Sequence, residues 1–293
     1  MKKVIEYNPL KDKFITADIN QTNFLFNVCF MVTKKCNFKC IHCSQDNYTP
    51  ECSLERYKKF IDKLKRGGLI RVNVSGGESL LYPKLVEFLK YCHNKKLKVT
   101  LSTNGYLLPQ KLKEIQKYID NIRMSIYGIG NTHNLFTSNN NSFKRLTETL
   151  ELLKERKIPA LMIMPVSKSN INEVEKVVEF CKKYAVKRLR FFTLIDMGRA
   201  KNIFKKERLS NKDIRELKQK IIQLQDIDNS ILLKVTNWTS DSTCCFLIEP
   251  NGECWFYYGN KKEFVGSLIT DSLNRIWNNF KSKNLINYLI NLR

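Results

Sequence analysis

Residues 24–43 read Phe-Leu-Phe-Asn-Val-Cys-Phe-Met-Val-Thr-Lys-Lys-Cys-Asn-Phe-Lys-Cys-Ile-His-Cys. The run Phe24–Val32 is short, apolar and rich in Phe and Val, which predicts a strand. It leads into a polar loop that carries Cys36, Cys40 and Cys43 within eight residues. Three thiols on one loop can converge on a soft metal centre. Three ligands on a four-iron cluster leave one iron without a protein ligand, an open corner for a bound molecule. A structural zinc site would want a fourth ligand in a paired arrangement. Only His42 is near, and it lies between two of the thiols in sequence.

Five more runs of the same kind follow: Leu69–Ser75, Lys98–Ser102, Asn121–Tyr127, Ala160–Val166 and Arg188–Leu194. Helix-length segments separate them. One follows Ser53, with Arg56 where a capping box would have Glu; others open near Pro83, after Pro109 and near Ser142. A fifth begins near Asn170, with Glu173 in the capping position. Val174, Val177, Val178 and Cys181 fall on one apolar stripe of it. Strands alternating with helices predict parallel βα units with right-handed crossovers. The expected class is α/β, a partial (β/α)6 TIM-type barrel with catalytic groups at the strands' C-terminal ends.

After Gly198 the rhythm changes. Lys205–Asp226 reads as a charged helix, Ile231–Val235 as a strand, and Ser272–Leu292 as a terminal helix. Cys245–Glu249 and Glu253–Tyr258 read as a hairpin around Pro250-Asn251-Gly252. These pieces make a small α+β C-terminal extension.

The C-x3-C-x2-C spacing after a strand resembles the radical SAM superfamily signature, and further elements occur in that family's order. Ser75-Gly76-Gly77-Glu78 resembles its GGE motif, with Ser79 in place of the usual proline. Ser102-Thr103-Asn104-Gly105 resembles its TNG element. Met124-Ser125-Ile126-Tyr127-Gly128 resembles its SLDG element, with Tyr127 in place of Asp. The resemblance implies a [4Fe-4S] cluster on Cys36, Cys40 and Cys43. It implies S-adenosylmethionine (SAM) held by Gly76, Gly77, Glu78, Ser102, Asn104 and Ser125. The glycines suit close backbone approach to a ligand. Glu78 or nearby carbonyls suit the methionyl ammonium, and the short polar groups suit ribose hydroxyls or a carboxylate. His42 stands where the family carries an aromatic residue near the adenine, and Phe191–Leu194 is the strand expected to offer that adenine backbone contacts.

The segment from Cys244 to Cys254, followed by Val265–Leu268 and Leu273–Trp277, resembles the SPASM and twitch extensions of that family. The hairpin and helix match; the cysteine spacing departs, because Tyr257 stands where the second cysteine belongs. The extension is therefore read as degenerate, with a cluster on Cys244 or Cys245 plus Cys254 as the alternative. The resulting division is an N-terminal segment 1–23, a radical SAM core 24–205 and an extension 206–293. Cys29, Cys92 and Cys181 are read as buried small hydrophobes, His93 and His133 as structural or exposed, and Cys52 without a role.

Composition narrows the setting. Of 293 residues, 43% are hydrophobic, enough for a core and against disorder. No stretch approaches the ~18 apolar residues of a membrane span, and residues 1–13 lack the apolar centre of a secretory signal. A cytoplasmic location follows, where the ten cysteines stay reduced. Net charge is +23, from 51 Lys and Arg against 28 Asp and Glu, scattered without a dominant block. That field suits an acidic peptide; no nucleic-acid-binding module is apparent.

The resemblance implies reductive cleavage of SAM to a 5′-deoxyadenosyl radical that abstracts hydrogen, with electrons from a flavodoxin or ferredoxin. The extension favours maturation of a ribosomally synthesised peptide. Cofactor or small-molecule biosynthesis is the alternative, and a non-catalytic iron–sulfur or zinc module is the alternative from another class. The sequence assigns no catalytic hydrogen donor or acceptor.

Overall fold

The computed structural model describes residues 6–8, 13–15, 27–45, 49–238, 244–283 and 285. Residues 24–26 and most of 284–292 lie outside the described residues, so the expected start of the first strand and end of the last helix do too. Strands β1 (Glu6–Asn8) and β2 (Lys13–Ile15) form a small antiparallel pair.

The main sheet begins with β3 (Asn27–Thr33), β4 (Arg71–Gly76), β5 (Lys98–Ser102) and β6 (Asn121–Ser125). It continues with β7 (Ala160–Val166), β8 (Arg188–Thr193) and β9 (Leu232–Thr236). All seven pair in parallel, each with the next. The α/β reading with a partial barrel is therefore the architecture observed. β9, which the sequence assigned to the extension, is a seventh strand of the same parallel sheet.

Alternation along the strands sets the two faces. Val28, Phe30 and Val32, then Val72 and Val74, Val99 and Leu101, and Leu189 and Phe191 are wholly buried in the apolar core. On β4, β5, β6 and β8 the alternate residues are polar: Asn73 and Ser75, Thr100 and Ser102, Arg123 and Ser125, Arg188 and Arg190. A parallel strand buried between two helix layers would be apolar on both faces. Here the second face lines the barrel interior, and a one-residue slip would exchange core and interior.

Helices α1 (Leu54–Arg66), α2 (Leu85–Asn94), α3 (Leu108–Ile115), α4 (Asn131–Thr137), α5 (Ser142–Glu155) and α6 (Val174–Lys183) fill the crossovers. Ser53 caps α1 by accepting the Arg56 N–H, and the Val174, Val177, Val178, Cys181 stripe of α6 is fully buried. Asn170 does not cap α6. Its amide donates to the Tyr127 and Pro165 carbonyls and its oxygen accepts from Ser167, which ties strand ends together. Glu173 accepts from the Ile129 N–H and the Thr132 hydroxyl instead of reaching back.

The expected single helix over 205–226 is two, α7 (Lys201–Glu207) and α8 (Asn211–Ile227), because Ser210 and Asp213 form a capping box that starts a new helix. The hairpin β10 (Cys244–Ile248) and β11 (Glu253–Tyr258) has the expected turn, and β12 (Lys261–Ser267) extends it antiparallel. β10 also pairs in parallel with β3, so the hairpin continues the main sheet at the edge carrying the cysteine loop. α9 (Leu273–Ser282), capped by Ser272, packs Ile276, Trp277 and Phe280 into the core.

Candidate functional site

Residues 34–45 leave the C-terminal end of β3 as a loop. Cys36 is exposed there, and Cys40 and Cys43 are half-buried. The loop is held from three sides. The Phe38 N–H donates to Cys36 Sγ at 3.4 Å, and Phe38 is buried edge-on against Tyr106. From α4, the Phe136 carbonyl accepts the Ile41 N–H at 3.1 Å and the Ser138 hydroxyl donates to the Lys39 carbonyl. After β8, Arg199 Nε donates to the Cys40 carbonyl at 2.9 Å, and the Ala200 N–H to the Cys43 carbonyl at 3.4 Å.

The two glycines after β4 serve this loop rather than leaving open space. The Gly77 N–H donates to the Thr33 carbonyl and the Glu78 N–H to the Lys35 carbonyl, each at 2.8 Å. A Cβ on Gly77 would sit 2.5 Å from the Lys34 and Lys35 oxygens, and one on Gly76 2.6 Å from the Thr33 oxygen. Glycine is required because backbone approaches backbone.

Glu78 is fully buried. Its carboxylate accepts from Leu80 N–H, the Thr103 hydroxyl and Asn104 N–H at 3.0, 2.7 and 2.7 Å. Burial pushes its carboxyl above the usual range, and these donors oppose the shift. Glu78 thus clamps the ends of β4 and β5 together. Asn104 reaches from there to Asn37 in the cysteine loop, Nδ2 to Oδ1 at 2.8 Å. The Ser102 hydroxyl donates to Asn73 Oδ1 at 2.8 Å. Ser125 stands at the end of β6, and its side chain opposes the burial that raises the Tyr127 phenol. Tyr127 is buried among His42, His133 and Phe136, with ring centroids 4.3, 5.2 and 5.7 Å away.

The electrostatics concern the three thiols. Burial pushes Cys40 up to about 12; Cys43 and Cys36 add to this and Arg199 opposes it. Burial also raises Cys36, against the Phe38 N–H. Both shifts favour the protonated thiols of Cys36 and Cys40, so iron binding must displace those protons. Among the described residues no three His, Cys, Asp or Glu side chains close round one point as a single metal ion demands. His42 Nδ1 is buried beside the loop with no hydrogen-bond partner, and burial holds that ring down to about 4. A buried orphan polar atom of this kind calls for a partner. Three thiols carried by one loop form a donor set that fits a cluster with one open iron.

Residues 30–181 match the sequence profile described as the Radical SAM superfamily. The chain belongs to the radical SAM superfamily. Its enzymes use a [4Fe-4S] cluster and SAM. The Bacillus subtilis (strain 168) protein AlbA, an antilisterial bacteriocin subtilosin biosynthesis protein, is 27% identical over 286 residues, 90% of this chain and 62% of AlbA. The AdoMet-dependent heme synthase of Methanosarcina barkeri (strain Fusaro / DSM 804) is 30% identical over 188 residues, 62% of this chain and 54% of the synthase. Streptococcus suis SuiB, solved with precursor peptide SuiA, superposes with a TM-score of 0.71 at 15% identity, over 87% of this chain and 65% of SuiB. That likeness concerns the fold. The chain spans between half and two thirds of these relatives' lengths.

Within this radical SAM core, the structure brings the cysteine loop, Gly76–Glu78 and Asn104 into direct contact, and sets Ser102 and Ser125 on the interior face at the same strand ends. Arg199, Phe136 and Ser138 also hold the loop and went unread in the sequence. Arg199 is one cation among 51 Lys and Arg, and α4 is short and largely polar.

The remaining cysteines divide clearly. Cys92 and Cys181 are buried hydrophobes as expected. Cys29 is not: it faces the interior, accepts from Asn73 Nδ2 at 3.5 Å, and its thiol is pulled down chiefly by a bond from Cys245. In the β10–β11 register Cys245 lies opposite Tyr257 and Ile248 opposite Cys254. Positions 245 and 248 point to opposite faces, so Cys245 and Cys254 cannot share a cluster. Cys254 is wholly buried in the core. Cys244, whose side chain lies outside the described residues, is four strand positions away from Cys254, roughly 13 Å. Among the described residues no helix is long and apolar enough to cross a membrane.

Proposed function

We propose that this chain is a radical SAM enzyme that modifies a ribosomally synthesised peptide. Cys36, Cys40 and Cys43 would hold the cluster; Gly76, Gly77, Glu78, Ser102, Asn104 and Ser125 would form the SAM site. When bound, cluster and SAM supply one-electron cleavage of the sulfonium and hydrogen abstraction from an unactivated C–H bond. The chain's own residues position. Glu78 fixes the strand-end loops around the nucleotide, and its bonds leave the nearby backbone carbonyls as the groups open to an ammonium. Ser102 and Ser125 present hydroxyls at the mouth of the barrel. Phe38, Tyr127 and Phe136 pack apolar rings against the inner side of the loop.

In this reading residues 24–205 are the core and 206–293 the extension, joined to the core sheet through β9 and β10. Among its described residues the extension brings Cys245 and Cys254 to opposite faces, which leaves them no shared auxiliary cluster. Free thiols throughout the described residues suit a reducing cytoplasm. The substrate would be an acidic peptide and the reductant a flavodoxin or ferredoxin.

The observation that carries the peptide reading is coverage. Similarity to AlbA runs over 90% of the chain, past the core and into the hairpin extension, whereas similarity to the heme synthase stops at 62%. That second similarity supports cofactor biosynthesis as the alternative. Anaerobically reconstituted protein, given dithionite and SAM, should release 5′-deoxyadenosine, and Cys40→Ala should abolish it. Co-expression with a short peptide encoded beside the gene should change that peptide's mass, or its deuterium content after epimerisation in D2O. An unaltered peptide alongside turnover of a porphyrin would move the assignment to cofactor synthesis.

A further inference from the structure

We infer that Arg199 is a positioning residue that makes the cluster easier to reduce. This rests on the reading that Cys36, Cys40 and Cys43 hold the cluster. Strand β8 ends at Thr193, and the chain then turns through a short 3-10 segment, Gly198–Ala200, laid against the cysteine loop. Gly198 has φ +55°, and a Cβ there would lie 2.5 Å from the Ser44 carbonyl carbon and 2.6 Å from the Cys43 oxygen. Only glycine takes that conformation and that closeness without strain. The turn therefore fixes the next residue's direction.

Arg199 Nε donates to the Cys40 carbonyl at 2.9 Å, which places the guanidinium beside the thiols. Its charge is felt by both Cys36 and Cys40. On Cys36 the neighbouring Glu78 acts in the opposite sense to Arg199. Reduction brings one electron from an external one-electron carrier onto the cluster and adds one negative charge there. A fixed cation at the ligands stabilises the reduced state more than the oxidised one. Charge and hydrogen bonding round the sulfurs are levers that set such potentials.

The test compares reconstituted wild type with Arg199→Gln and Arg199→Lys. Iron content, the midpoint potential by EPR-monitored titration, and SAM affinity by equilibrium dialysis are measured on each. Arg199→Gln, whose amide can still donate to the Cys40 carbonyl, should retain iron and SAM binding sufficient for titration but shift the reduction equilibrium about tenfold toward the oxidised state, ~59 mV for one electron. Arg199→Lys, which keeps the charge, should recover most of that shift. An unchanged potential in iron-replete Arg199→Gln overturns the inference, as does a potential in Arg199→Lys as low as in Arg199→Gln. Loss of SAM affinity at constant potential would make Arg199 a nucleotide contact instead. Loss of iron from both variants with the fold intact would make it an assembly residue. Retention of iron by Cys40→Ala strikes the underlying reading, a separate result.

Discussion

The Lys34 ammonium lies 2.9 Å from the Glu249 carboxylate, with both side chains more than nine-tenths buried. Lys34 opens the cysteine loop, and Glu249 opens the turn between β10 and β11. The pair therefore couples the extension to the metal-binding loop across the β3–β10 edge. Glu249 Oε2 is not aligned as a hydrogen-bond acceptor, so charge attraction is what the contact supplies. Removing one member of a buried pair strands the other charge, at a cost of about 3–5 kcal/mol. Glu249→Leu should lower the unfolding free energy by that order. Lys34→Met combined with Glu249→Leu should cost less than Glu249→Leu alone. Denaturant unfolding of the set checks this; fully additive losses would show that water solvates the pair.

Cysteine substitutions should sort by face. Reconstituted wild type is expected to bind about four irons per chain. Cys36→Ala, Cys40→Ala and Cys43→Ala should each lose most of the iron. Cys245→Ala and Cys254→Ala should keep it, although Cys254→Ala removes a fully buried group and lowers stability. Iron analysis decides the matter, and about eight irons in the wild type would contradict the register argument.

What was readable in the sequence was what repeats locally. The strands from Lys98 to Ser102 and Ala160 to Val166 have the bounds their apolar runs announced. The three cysteines, the glycine pair and Asn104 meet because their strands are consecutive. Three features escaped because their causes lie in distant partners. Cys29 looks like a core residue until Asn73 of β4 and Cys245 of β10 make its surroundings polar. β12 starts with Lys261, Lys262 and Glu263, which no strand pattern favours, and forms by pairing with β11. The Gly76–Gly77 pair suited close approach to a ligand, and the structure adds a second demand on it, the backbone of residues 33–35.

That last point has a direct test. Gly77→Ala places a methyl on two carbonyl oxygens that belong to rigid backbone. The cysteine loop must then move away from Glu78 and break its N–H bond to Lys35. The variant should stay folded by circular dichroism, since the affected loop lies outside the core, yet bind less than half the wild-type iron. Full iron binding would show that the loop can shift at little cost.

His133 should make the site side of the barrel acid-sensitive. It is fully buried in α4, and its Nδ1 accepts the Tyr127 N–H at 3.3 Å, which requires the neutral ring. Burial holds its pKa down to about 3, with His42 adding to the effect. In the unfolded chain the same imidazole titrates near 6.5. Below that pH the unfolded state binds a proton that the folded state refuses, so stability is lost as pH falls from about 6.5 toward 3. His42, also held neutral by burial, contributes in the same sense. His133→Asn, whose amide oxygen can replace Nδ1 as acceptor, should be less stable at pH 8 but lose less on moving to pH 5.5. Denaturant midpoints of cluster-free wild type and variant at the two pH values measure this. Because α4 grips the cysteine loop through Phe136 and Ser138, the loop should loosen along with it. Hydrogen exchange at the Ile41 N–H, bonded to the Phe136 carbonyl, should therefore show a greater loss of protection at pH 5.5 in the wild type than in His133→Asn, once intrinsic exchange rates are divided out.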